Sequence, residues 1–337
     1  MIYPKFISSG SCIGVPTPSD GSYDELKKAR YDNAIKRFKS LGYELNLSKN
    51  LYNSTRGRSA SATERGKEFN EMLKSKDIDA IICAAGGEFL VEMIPYVDFN
   101  LIKDNPKYVA GFSDPTGLLY PITTKYDIAT IYGHNFGDFG AEPIDQSEKD
   151  FLEIIKGNLI IENSYPLYEE EKGEQVTGLE PRNLTEKVYW KTLDNKEASL
   201  KGRIIGGCFD LISELAGTKY DGINEFNEKY KDDGIIWYFD NCEITMEETI
   251  RTLWKINELG YFKYAKGVIF GRFGVQVSYL DYDTKECLKD SVLSKLNIPI
   301  IYDADVSHKG PSLTIINGSV ATIHVSDGKG SISFELK

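Results

Sequence analysis

Over its first third the chain alternates short apolar runs with longer amphipathic stretches, the pattern of parallel strands joined by crossover helices. Residues 12–15 read as a strand. From 23 to 41 the positions Leu26, Ala29, Ala34, Ile35, Phe38 and Leu41 recur at helical spacing, and Gly42 stands where a helix C-cap glycine belongs. A strand near 43–47, a polar helix over 63–74 and the apolar run 78–83 follow, the last ending in Ala84-Ala85-Gly86-Gly87. A further run, 108–112, ends at Ser113. Open α/β sheets bind ligands beyond the carboxyl ends of their strands, so the Gly-Gly turn and Ser113 both fall where a site forms.

At 337 residues the chain exceeds a typical single core, and two domains sharing one interface are expected. Residues 1–162 form the first, an open parallel-sheet (flavodoxin-like) α/β domain. Residues 163–201 turn polar and irregular, with acids at Glu169, Glu170, Glu171 and Glu174 before Pro181-Arg182-Asn183, and read as a linker or active-site cover. Residues 202–337 form a second α/β domain. Its strands are expected at 203–205, 235–239, 267–270 and 298–302, with helices from 209, over 247–259 and near Ser291. A β-rich tail follows at 313–316, 320–324 and 331–336. The site is expected between the two domains.

Composition narrows the function classes. A formal net charge of −11 opposes binding to phosphate backbones, so nucleic acid is a poor partner. No uninterrupted apolar stretch is long enough to span a bilayer, and the opening residues lack a basic segment followed by an apolar one. The five cysteines (Cys12, Cys83, Cys208, Cys242 and Cys287) are scattered without Cys-x-x-Cys or zinc spacing. Reduced thiols, a cytoplasmic location and no metal or cofactor are the corresponding expectations.

Only three histidines are present. His324 lies in the alternating run Ala321-Thr322-Ile323-His324-Val325 and reads as structural. His308 sits in a polar loop after the apolar strand 298–302, where a side chain can face a site at the strand end. Ser113 follows an apolar strand and precedes an expected helix over 115–120, the strand-to-helix turn on which nucleophilic serines are exposed. Gly111 suits the sharp turn, but Pro115 replaces the second glycine of Gly-x-Ser-x-Gly. Read alone, Ser113 is better taken as a cap of the helix it precedes, with Asp114 favoured by the helix dipole. Gly86 and Gly87 can bring backbone N–H groups to a developing oxyanion, together with the amide of Asp114, or can be an ordinary loop.

Taken together, these stretches resemble the LD-carboxypeptidase family of serine peptidases, which includes the microcin C immunity peptidases. The resemblance rests on six ordered blocks: Ala85-Gly86-Gly87 with Tyr96-Val97-Asp98; residues 105–116 through Gly111-Phe112-Ser113-Asp114; Gly206-Gly207 with Gly217-Thr218; Trp237-Tyr238-Phe239-Asp240; Gly267 to Arg272; and Asp305-Val306-Ser307-His308. It implies a Ser, Glu, His triad divided between the domains, with Ser113 as nucleophile and His308 as base. Asp240 stands in the glutamate's position and is the expected orienting carboxylate, with Glu243, three residues on, in reserve. Gly133-His134-Asn135 stands where Gly-Pro is usual, which places His134 near the presumed pocket as a candidate substrate contact. Ala85 replaces an arginine that often precedes the Gly-Gly pair. A homodimer is also implied.

The resemblance implies a serine hydrolase that cleaves a C-terminal amide through an acyl-enzyme. The leading expectation is an L,D-carboxypeptidase acting on murein tetrapeptide-like substrates. The alternative is a microcin C immunity-type peptidase cleaving peptidyl- or aminoacyl-nucleotides. The long polar segment 169–190, able to cover the site and, with Tyr189-Trp190, to offer an aromatic surface for a base or ring, keeps that alternative open, with Trp190 as the candidate substrate contact. A catalytically weak or inactive small-molecule binding protein is the reading from another class.

Overall fold

The computed structural model describes residues 1–22 and 24–337. Tyr23, where the first expected helix was to begin, lies outside the described residues. The helix runs over Glu25–Ser40: the Asp24 side chain accepts from the Lys27 amide, and Gly42 takes the left-handed conformation (φ +87°) just beyond its end. Its buried stripe is Tyr31, Ala34 and Phe38, whereas Leu26 and Leu41, expected to face inward, are exposed. The polar helix Ala62–Lys74 begins with a capping box between Ser61 and Glu64.

Five strands, β1 (Cys12–Val15), β2 (Glu44–Leu47), β3 (Ala80–Ile82), β4 (Tyr108–Gly111) and β5 (Thr130–Tyr132), form a parallel sheet in the order β2-β1-β3-β4-β5. β3, β4 and β5 are buried at every position, as continuous apolar runs are when helices cover both sheet faces.

The remaining chain forms β6 (Glu162–Asn163), β7 (Leu167–Tyr168), β8 (Glu186–Lys187), β9 (Lys191–Thr192), β10 (Ala198–Cys208), β11 (Ile235–Asp240), β12 (Ala265–Gly271), β13 (Ile300–Ala304), β14 (Ile315–Asn317), β15 (Val320–Ser326) and β16 (Lys329–Glu335). The second sheet has the order β6-β16-β15-β10-β11-β12-β13-β9, parallel from β10 to β13 and antiparallel at its flanks.

Two features depart from the expected layout. Residues 163–201 are woven into the second sheet through β9 and the start of β10, while β7 and β8 pair as a separate two-stranded ribbon. β14, from the tail, returns to the first sheet and pairs antiparallel with β5, Ile315 opposite Tyr132. Because β13 belongs to one sheet and β14 to the other, the loop 305–314 must cross between them. That crossing carries His308.

Candidate active site

Ser113 sits immediately beyond β4 in a left-handed backbone conformation, φ +68°. A non-glycine residue is held there only when its surroundings over-determine it. The turn is sharp: a Cβ on Gly111 would lie 2.6 Å from Pro115 Cβ. The helix that follows, Thr116–Tyr126, has no side-chain N-cap bond. The Ser113 hydroxyl instead lies 2.8 Å from His308 Nε2.

His308 Nδ1 lies 2.9 Å from Asp240 Oδ1, which also accepts the His308 backbone N–H at 3.1 Å. Asp240 ends β11 and is fully buried. Its other oxygen accepts the Tyr132 hydroxyl at 2.6 Å, and that same hydroxyl accepts the Ser113 amide at 3.3 Å. Tyr132 thus ties the carboxylate at the end of one sheet to the elbow at the end of the other. Sequence reasoning missed it, because a buried tyrosine in a short apolar strand carries no mark of function. The Phe112 ring packs against both His308 and Tyr132, with centroids at 4.8 and 5.0 Å.

Burial works against a charged His308, but the Asp240 carboxylate bonded to it prevails and holds the imidazole pKa well above its ordinary value. Glu243, the reserve acid, is exposed in the loop after β11, where its backbone N–H donates to Asp210 at 2.9 Å. Among the described residues it makes no hydrogen bond to His308.

Gly86 faces Ser113 closely: a Cβ there would lie 3.0 Å from Ser113 Cβ and 3.3 Å from its Oγ. Among the described residues, the amides of Gly86, Gly87 and Asp114 have no protein acceptor. Three N–H donors without a protein acceptor therefore lie in the turn that faces Ser113 and directly after Ser113 in the chain. The Asp114 side chain turns the other way. Its Oδ2 accepts the Ser19 hydroxyl and the Leu90 amide, its Oδ1 is buried without a partner, and burial pushes its pKa up to about 7.

A cavity of about 540 Å³ opens beside His308 and Phe112. Residues 169–182 wall its outer side, held to the first domain by Arg182, which pairs with Asp145 and Glu148, and by Arg30, which donates to the Gly178 and Glu180 carbonyls at 3.1 Å. His134 lines the same cavity, but only 4% of it is exposed and its Nε2 lies 2.9 Å from the Ser147 hydroxyl.

Trp190 requires a correction. It is 3% exposed, its indole N–H donates to Asp305 Oδ2 at 2.9 Å, and its ring crowds Gly330. An indole placed in the core offers no face to a substrate; its neighbour Tyr189 is the exposed aromatic. His324 is exposed on β15, opposite Ser199 and Ser331. Among the described residues, no group of three or more His, Cys, Asp or Glu side chains is arranged to hold a metal ion, and no helix is long and apolar enough to cross a membrane.

Residues 13–133 match the LD-carboxypeptidase N-terminal domain and residues 201–323 the LD-carboxypeptidase C-terminal domain. The microcin C7 self-immunity protein MccF of Escherichia coli is 25% identical over 312 residues, spanning 91% of this chain and 88% of that protein. A Bacillus subtilis protein named as a probable murein peptide carboxypeptidase is 24% identical over 328 residues, 96% of this chain and 92% of its own length. In three dimensions the MccF-like protein of Bacillus anthracis superposes with a TM-score of 0.83 at 25% identity, each chain covered completely. MccF has been solved with aspartyl sulfamoyl adenosine and, as a tryptophan-to-phenylalanine mutant, with adenosine monophosphate, each at a TM-score of 0.83.

Proposed function

Because the chain belongs to the LD-carboxypeptidase family, we propose that it is a serine peptidase using Ser113, His308 and Asp240 as nucleophile, base and orienting carboxylate. The observation that carries this reading is the continuous relay of 2.8 Å and 2.9 Å contacts through the His308 ring, begun at a serine held at φ +68°. Asp240 fixes the proton on Nδ1, which leaves Nε2 free to accept the serine proton. Ser113 Oγ then attacks the amide carbonyl. The negative charge develops among the Gly86, Gly87 and Asp114 amides, and His308 returns the proton to the departing amine. Water, deprotonated by the same imidazole, releases the acyl group from Ser113.

The substrate we assign is a short peptide with a C-terminal amide bond of the murein tetrapeptide type. A second reading, a peptidyl- or aminoacyl-nucleotide, is favoured by the cavity: about 540 Å³ is room for a drug-sized group and more than an alanine leaving group fills. The ligands solved in MccF support it. Turnover of a murein tetrapeptide set against an aminoacyl sulfamoyl adenosine separates the two. Labelling by a small fluorophosphonate in wild type and its loss in Ser113→Ala support the serine mechanism. An unlabelled protein that hydrolyses neither substrate would be a binding protein instead.

A further inference from the structure

We propose that Arg272 is a positioning residue for the base, holding the loop that delivers His308 to Ser113 and Asp240; this rests on the serine-peptidase reading. Arg272 closes one of the blocks on which the family resemblance rests, but the sequence alone assigns it no role. In the structure it is 5% exposed and directs its guanidinium into the crossing loop between the two sheets. Nη1 donates to Asp305 Oδ1 at 2.6 Å, Nε and Nη2 donate to the Lys309 carbonyl at 3.1 and 2.8 Å, and Nη2 also donates to the Pro311 carbonyl at 3.2 Å. The main chain of Arg272 joins in: its N–H donates to the Ala304 carbonyl, and its carbonyl accepts the Ser307 hydroxyl at 2.6 Å. The loop is therefore held on both sides of His308.

His308 is tied to Asp240 through its own N–H and its ring and to Ser113 through Nε2, so the loop residues on either side must hold its main chain where all three contacts can form. Arg272 suits the task because a guanidinium offers five donors in a rigid plane, and three loop acceptors converge on it here. Asp305 completes the anchor. With 0% exposure, its second oxygen accepts the Tyr165 amide and the Trp190 indole N–H, which satisfies the one polar group of that buried ring. The Tyr168 ring lies 4.5 Å from the guanidinium carbon, and the Glu169 amide donates to the Gly310 carbonyl at 2.8 Å. The segment that walls the cavity and the loop that carries the base thus share one anchor. Displacing reacting groups by about 1 Å costs on the order of 10²-fold in rate.

The test compares Arg272→Lys and Arg272→Gln with wild type in the full-length protein. Expected for Arg272→Gln is a fall in kcat of about 10²-fold with KM within about twofold, and for Arg272→Lys a smaller fall, since lysine keeps the charge but not the fork. The second readout is the downfield proton resonance of His308 Nδ1–H. It should be present in wild type, moved upfield in Asp240→Asn, where a neutral amide oxygen replaces the carboxylate acceptor, and weakened or shifted in Arg272→Gln at a temperature where circular dichroism shows the variant folded. A folded Arg272→Gln with near wild-type kcat, or with an unchanged Nδ1 proton, overturns the proposal. If Arg272→Gln does not fold, Arg272→Lys carries the same two measurements. Should wild type prove inert to every substrate and to fluorophosphonate, the peptidase reading fails, while the proton resonance still decides whether Arg272 places His308.

Discussion

Replacing Asp240 by asparagine removes one charge from the relay and leaves its shape intact, and the hydrogen bonds around that carboxylate predict how the rate responds. Oδ1 receives both His308 donors, so an asparagine that keeps its oxygen on that side preserves the productive tautomer. Its amide nitrogen then faces the Tyr132 hydroxyl, which can accept as well as donate. What is lost is the attraction between the carboxylate and the imidazolium of the transition state. For charge centres about 4 Å apart at an effective dielectric near 20, that attraction is about 4 kcal/mol, or roughly three decades in kcat/KM. This is less than the roughly four decades expected when the tautomer is also wrong.

The same attraction holds the His308 pKa well above its ordinary value, so wild type should show an acid limb in kcat/KM above the usual histidine range. In Asp240→Asn the limb should move down toward the usual histidine range, because the charge that favours the imidazolium is gone. The gap between the two enzymes therefore narrows as pH falls, because wild type loses its neutral base first. The assay is kcat/KM on one amide substrate from mildly acid to mildly alkaline pH. A variant within tenfold of wild type at alkaline pH, with an unmoved acid limb, would refute the assignment of Asp240.

Further outcomes follow from individual contacts. Glu243→Gln should leave kcat/KM and the acid limb unchanged, because Glu243 makes no hydrogen bond to His308 among the described residues; a loss comparable to that of Asp240→Asn would restore it as the acid. Gly86→Ala should lower kcat by roughly tenfold, since the new Cβ would lie 3.0 Å from Ser113 Cβ and the elbow must give by a few tenths of an ångström; steady-state kinetics with a fluorophosphonate labelling rate checks this. Trp190→Phe should lower unfolding free energy by about 1–3 kcal/mol through the donor lost from buried Asp305, read by denaturant titration, with KM unchanged. Sedimentation should give about twice the 37.9 kDa chain mass if the expected homodimer forms.

The strands 12–15, 78–83 and 108–112 and the helices over 23–41 and 63–74 were legible because their signal is local: a covered parallel strand must be apolar, and a helix shows its stripe and its caps, whereas the helix Gln146–Ile155 went unread. Ser113 and His308 stood out for similar reasons, a serine on a strand-to-helix turn and a scarce side chain in a polar loop after a strand. Trp190 was misread because an aromatic beside a polar segment looks the same in sequence whether its partner is a ligand or a buried Asp305. The choice between Asp240 and Glu243 was open because two carboxylates three residues apart differ only in where the chain turns after β11.

The sequence by itself determined the parallel sheet, the turn that presents Ser113, and the residue types able to form a relay. Tertiary structure alone decided which of them meet. β14 leaves the second sheet for the first, and that crossing sets His308 between an acid on β11 and a serine beyond β4. Tyr132 and Arg272 gain their roles only from that crossing. Periodicity records which face of an element is buried, whereas a contact between residues about two hundred positions apart depends on how whole sheets pack, and no local pattern encodes it.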